Sequence, residues 1–205
     1  MPGRWGKMSA LSELSKEIVA CQCCDLYKNA THAVPGEGPE NADIMFIGEA
    51  PGWNEDQQGR PFIGAAGKFL DHLIASIGLS REQVFIANVV KHRPPENREP
   101  LPAEIAACKC WLDRQIEIIK PRMIVTLGRH SMARYFPNKT ISKIHGTAEK
   151  RDGIIYFAMY HPAAALHQGN LRGEIEKDML KIPGLLDEMQ EKTTVAEDPQ
   201  QMSMF

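Results

Sequence analysis

Four short apolar runs alternate with longer amphipathic stretches along this chain. Ile44–Ile47, Val84–Val90, Met123–Leu127 and Ile154–Met159 are almost free of polar residues and read as buried strands; Asn88 is the polar interruption in the second. Between them apolar residues recur at helical spacing. Ser9–Ala20 puts Leu11, Leu14 and Ile18 on one face, with Ser9 or Ser12 as its cap. Lys68–Ile77, Pro102–Ile119, Ser131–Tyr135 and a stretch near Gly173–Leu180 read as further helices. Pro102 and Glu104 suit a first helical turn, where a missing N–H costs nothing and an acid meets the positive end of the helix dipole. Strands buried on both faces and alternating with helices predict an α/β fold: a single-domain three-layer αβα sandwich around a central, mostly parallel four-stranded sheet. No internal repeat is visible.

The first strand leads into the most informative stretch, Ile44–Gly67 (IMFIGEAPGWNEDQQGRPFIGAAG). Gly48, Gly52 and the segment Gly59–Gly67 allow close backbone approach to a ligand. Glu49, Glu55 and Asp56 supply carboxylates, and Phe62 stands between Pro61 and Ile63. Open α/β sheets bind ligands at such strand-to-helix loops. The spacing matches neither GxGxxG nor a P-loop, so residue types alone define a ligand loop with acids and an aromatic, against an ordinary strand–turn–helix.

Composition narrows the setting. At 205 residues, 43% apolar and 24% charged, the chain can bury a full core. No run is long enough for a membrane span, and the N-terminus lacks the apolar segment of a secretory signal, so a cytoplasmic, nucleoid-associated protein is expected. The net charge of −2 hides an asymmetry: residues 187–205 hold five acids and one base, and the remainder holds 23 bases and 21 acids. Any contact with a polyanion must therefore use a local basic face. Residues 1–186 read as the domain and 187–205 as a flexible acidic tail. In a reducing compartment the five cysteines suggest ligation rather than disulfides. Cys21 and Cys24 have the CxxC spacing of two thiolates on one centre; the plain alternative is a buried pair. Cys108 and Cys110, two apart on a helix, face different ways.

GEAPGWNEDQQGRPFIGAAG, NVVKHRPPENREP (88–100) and YHPAAAL (160–166), in this order and spacing, resemble the motifs of the iron–sulfur, family 4 uracil-DNA glycosylases over roughly Cys21–Pro183. The resemblance implies base excision repair: uracil is flipped out of single- or double-stranded DNA and its N-glycosidic bond hydrolysed, leaving an abasic site. It implies a [4Fe–4S] cluster on Cys21, Cys24, Cys108 and, where the family has its remaining cysteine, His92. Imidazole ligates iron in Rieske centres; the alternatives are Cys23 or Cys110 in its place, a three-cysteine cluster, or no cluster. Ala30 stands where the family usually has arginine.

The remaining roles follow the same motifs. Gly48, Ala50, Gly52, Glu55, Phe62 and Asn88 are implied to bind substrate, Phe62 as the stacking platform and Asn88 as the reader of the uracil edge; Glu55 is placed to exclude thymine's methyl. His161 is implied to stabilise the departing oxyanion. Ala50 replaces the aspartate base of the best-known uracil glycosylases, so Glu49 is expected to handle water, with Asp56 in reserve. Their plain readings are core packing for Phe62, a satisfied strand end for Asn88, a structural histidine for His161 and solvated loop acids. Arg93, Arg98, Arg172 and Lys91 are expected at phosphates, and Leu166 in the minor groove. A related group with Lys-His after this strand is trapped covalently on uracil-DNA by a histidine in an inserted basic loop. This chain lacks the insertion, so turnover as a monomer is expected. Gln201, Met202, Met204 and Phe205 resemble the bacterial sliding-clamp motif. Rival readings are a member with shifted base specificity, covalent trapping, or a non-catalytic iron–sulfur adaptor.

Overall fold

The computed structural model describes residues 9–188. Five strands form the sheet, in the order β2-β1-β3-β5-β4, rather than the four expected. They are β1 (Ile44–Gly48), β2 (Phe85–Asn88), β3 (Met123–Leu127), β4 (Ala148–Arg151) and β5 (Ile154–Met159). All pairings are parallel except β4 with β5. The additional strand is AEKR, mostly exposed, and carries no apolar pattern. It forms because Asp152 and Gly153 both take positive φ (51° and 76°) and close a tight hairpin onto Ile154. Asp-Gly was its one local signal.

The strand alternation sorts the core into two layers. Ile44, Phe46, Val125, Leu127, Phe157 and Met159 pack on one face. There they meet α3 (Ala65–Ser76), through Leu70, Leu73 and Ile74, and α8 (Asn170–Met179), through Ile175 and Met179. Met45, Ile47, Ala87, Ile124 and Ala158 pack on the other face, against Cys108, Leu112 and Ile119 of α4 (Pro102–Ile119). Helix α1 (Ala10–Val19) lays Leu14 and Ile18 beside Trp111 and Ile118 of α4. Of its two candidate caps, Ser9 is used: its Oγ accepts the Ser12 N–H at 3.2 Å.

Several boundaries move. Helix α3 begins three residues before Lys68, and β2 is shorter than Val84–Val90. Val89 and Val90 continue alongside β1 by donating to the carbonyls of Gly48 and Glu49 at 3.0 and 3.2 Å. Helices α5 (Arg129–Ala133) and α8 are displaced by a few residues from the spans expected. Short helices also form at α2 (Trp53–Gln58), α6 (Ile141–Ile144) and α7 (Pro162–His167). Among the described residues no helix is long and apolar enough to cross a membrane.

Leu70 is fully buried between α3 and the sheet. Leu70→Ala is expected to lower unfolding free energy by about 2–5 kcal/mol, read from urea denaturation; a loss under about 1 kcal/mol would mean that this layer repacks freely.

Candidate active site

The chain adds β2 on one side of β1 and then β3 on the other, so a crevice opens at the C-terminal edge of these parallel strands. Its residues come from successive strand ends: Glu49 just past Gly48, the last residue of β1, Asn88 at the end of β2, Arg129 after β3 and His161 after β5. The resulting cleft is about 820 Å³. It is lined by Glu49, Ala50, Gly52, Glu55, Phe62, Asn88 and His161, and also by Glu99, Arg129 and His167, which sequence reasoning missed. Arg129 had a positional signal: like Glu49, it follows a glycine at the end of a parallel strand.

Phe62, Asn88 and His161 meet at the cleft floor. A Cβ on Gly48 would lie 2.4 Å from Asn88 Oδ1 and 2.5 Å from Phe62 Cζ, so only glycine lets both reach this point. The Phe62 ring stacks on His161, with centroids 5.5 Å apart and planes at 28°. Phe62 has φ 49°, a strained value for a bulky residue. Several contacts hold it there. Arg81 donates to the carbonyls of Pro61 and Phe62 and pairs with Asp71 at 2.9 Å. Gly67 leaves room below, where a Cβ would sit 1.8 Å from the Phe62 carbonyl oxygen.

The acids divide by what they touch. Glu55 accepts N–H groups from Gly52 at 3.1 Å and from Ile63 and Gly64 at 2.9 Å each. Its carboxylate thus ties the two glycine-rich pieces together, a role beside its place in the lining. Asp56 is buried and accepts from the Thr31 and His32 N–H groups, away from the cleft, which removes it as a reserve base. Glu49 faces the cleft, and burial pushes its carboxyl upward against the opposing pull of His130 and Arg129. Its Oε2 lies 3.8 Å from His130 Nε2, and Glu99 Oε2 lies 3.2 Å from the same nitrogen. Arg129 pairs with Glu99 and donates through Nε to His130 Nε2 at 3.1 Å.

Asn88 is buried and its Oδ1 has no protein partner. An orphaned acceptor in a cleft floor is a group waiting for a donor. His161 Nδ1 accepts the Ala163 N–H at 3.1 Å, which leaves the proton of the neutral ring on Nε2. Burial holds its pKa down, from 6.5 to about 4, with Glu55 opposing.

The basic residues behave differently from expectation. Lys91 is wholly buried and cannot reach a phosphate. Arg98 lines the cleft but pairs through both its terminal nitrogens with Glu104, at 2.7 and 2.9 Å. Arg93 donates to Asn97 at 2.7 Å, and Arg172 pairs with Glu176 while covering the Phe69 ring. Leu166 is 51% exposed on α7, as a wedge requires. Gln201, Met202, Met204 and Phe205 lie outside the described residues.

The cysteine region lies on the α4 side of the sheet. Cys21 and Cys108 are buried, Cys24 half-buried, and Cys23 and Cys110 exposed. Burial pushes the Cys108 thiol up to about 12, and Cys24 and Cys21 are close enough to add to that rise. Trp111 Nε1 donates to Cys21 Sγ at 3.1 Å. His92 shares a small cavity with Cys21; its Nδ1 is buried without a partner, and burial lowers its pKa. Among the described residues no three His, Cys, Asp or Glu side chains already stand in metal-holding geometry. The donor types nevertheless fit a thiolate-bound group with one imidazole, because His92 Nδ1 is otherwise an orphan.

Residues 35–181 match the Uracil DNA glycosylase superfamily. The chain is 52% identical over 185 residues to a type-4 uracil-DNA glycosylase of Sulfurisphaera tokodaii, covering 85% of this chain and 84% of that one. It is 46% identical over 193 residues to the type-4 uracil-DNA glycosylase of Archaeoglobus fulgidus, covering 89% and 96%. With that of Thermotoga maritima it shares 40% over 171 residues, covering 82% and 88%. This chain belongs to the uracil-DNA glycosylase superfamily.

The low pKa of His161 sets a pH dependence. Between the unfolded value of 6.5 and the folded value of about 4 the unfolded chain binds a proton that the folded one refuses. This group's contribution is therefore intact above 6.5 and is lost as pH falls toward about 4. By NMR the His161 ring is expected to stay neutral from about pH 8 to pH 5; a midpoint near that of a free histidine would refute the assigned environment.

Proposed function

We propose that this chain is a monofunctional uracil-DNA glycosylase that hydrolyses the N-glycosidic bond of uracil in single- and double-stranded DNA. The observation that carries the reading is the orphaned Asn88 Oδ1 beside a neutral His161 whose Nδ1 is already occupied. Uracil presents an N3–H donor flanked by acceptor oxygens. Asn88 Oδ1 accepts that N–H while its amide nitrogen donates to O4; cytosine reverses the pattern and is rejected. Extruding the base takes a few kcal/mol, least where pairing is already weak. Phe62 forms the apolar wall of the base site.

As the C1′–N1 bond breaks, its electron pair moves onto the base and negative charge gathers at O2. His161 Nε2–H donates to that oxygen. Water adds to C1′, and Glu49 orients it and takes its proton. No lysine lines the cleft among the described residues, which supports simple hydrolysis over a Schiff base. Phosphates fall to Arg93 and Arg172, and Leu166 fills the space left in the stack.

Cys21, Cys24, Cys108 and His92 would hold a [4Fe–4S] cluster. Bound there, it supplies a cross-link between the N-terminal CxxC and α4 rather than a reacting centre. The names of the type-4 relatives and the orphaned His92 nitrogen support this assignment. The proposal extends to the tail: Gln201, Met202, Met204 and Phe205 dock on the bacterial sliding clamp and raise local concentration at new DNA.

The test is incubation with a uracil-containing oligonucleotide, resolved on a denaturing gel with and without alkali. Strand cleavage only after alkali is expected. A retarded band that survives denaturation would mean covalent trapping and overturn the turnover reading; the absence of both product and adduct would overturn the assignment itself. His161→Ala is expected to lower the single-turnover rate about 10²–10³-fold, and full activity would remove it from the mechanism. Anaerobically purified protein is expected to carry iron, with less in His92→Ala; iron-free protein would refute the cluster.

A further inference from the structure

Lys91 is among the largest fully buried side chains, yet the mechanism above gives it no part. Its Nζ donates to the Asn88 backbone carbonyl at 3.0 Å and to Gln115 Oε1 at 2.7 Å. Gln115, itself buried on α4, donates onward to the Pro35 carbonyl at 2.6 Å. The Lys91 backbone is held as well: its carbonyl accepts the Val34 N–H at 2.7 Å. One residue thus joins the end of β2, helix α4 and the loop at 34–35.

Burying so many donors against neutral oxygens is costly, and an apolar side chain of the same length would fill the space. What the lysine adds is position. Asn88 is the last residue of β2, and its carbonyl is where the strand stops. Clamping that carbonyl fixes the peptide plane from which the Asn88 side chain springs, and Gln115 refers the plane to α4.

We propose that Lys91 is a positioning residue for base recognition, locking the Asn88 amide in register with α4 through the Asn88–Lys91–Gln115 bridge. This rests on the reading of Asn88 as the group that meets uracil. The bridge also places the recognition amide and Cys108 on one rigid unit, so a disturbance of α4 is transmitted to the base site.

A double-mutant cycle on the full chain tests it, using Lys91→Met, Asn88→Ala and both together. The readouts are kcat/KM on a uracil oligonucleotide, inhibition by free uracil, and melting temperature. Lys91→Met is expected to cost about tenfold to a hundredfold in kcat/KM, the worth of its two buried hydrogen bonds together, and to weaken inhibition by free uracil. In the Asn88→Ala background the same change is expected to cost less than about threefold. Full additivity, or a loss in melting temperature with no change in inhibition by uracil, would overturn the positioning role. An Asn88→Ala protein with wild-type activity would overturn the Asn88 reading and this proposal with it, a result distinguishable from additivity. If Lys91→Met does not fold, Gln115→Leu replaces it. It leaves the bond to Asn88 but cuts the link to α4, and a loss confined to the Asn88-containing background is expected; no loss would refute the coupling.

Discussion

Gly48 is the point on which the site converges. Asn88, Phe62 and the end of β1 converge there with no room for one more carbon. The rest of the site is arranged to keep that convergence in place. Glu55 draws the turn at Gly52 and the segment at Ile63–Gly64 together through three amide hydrogen bonds. Arg81 holds the carbonyls on either side of the strained Phe62 backbone. Strain of this kind persists only where its surroundings over-determine it, and here they do so from three directions.

The polar groups around the cleft fall into two sets. Arg98, Asp56, Glu55 and Lys91 are committed to internal partners. The Asn88 amide oxygen has none, and Glu49 comes no nearer to His130 Nε2 than 3.8 Å. Buried polar groups in folded proteins are nearly always paired, so the unpaired ones mark where a ligand completes the structure. His161 shows the same economy: one ring nitrogen is fixed by the backbone of α7, and burial keeps the ring neutral, so the other nitrogen remains a donor.

The sheet explains how residues so far apart in sequence come together. Parallel strands deliver their C-terminal ends to one edge, and the reversal of strand order around β1 leaves a gap there for the ligand. On the other face of these strands, Cys108 packs from α4, and Lys91, just past β2, reaches back to the Asn88 carbonyl. The Asn88 amide and the cysteine region are therefore neighbours across one layer of backbone.

The sequence by itself determined the α/β class, because four apolar runs separated by helical patterns admit few other solutions. That Glu49, Phe62, Asn88 and His161 share one cleft was also legible, since long motifs kept their order. The β4 edge strand was not, because an exposed strand paired on one side needs no apolar pattern and leaves only its Asp-Gly turn as a trace. Nor was the fate of individual charges. Lys91, Arg98 and Asp56 look alike as solvated loop residues in one dimension. Whether a charge meets water, a carboxylate or a buried carbonyl depends on which distant element folds over it, and only the tertiary structure decides that.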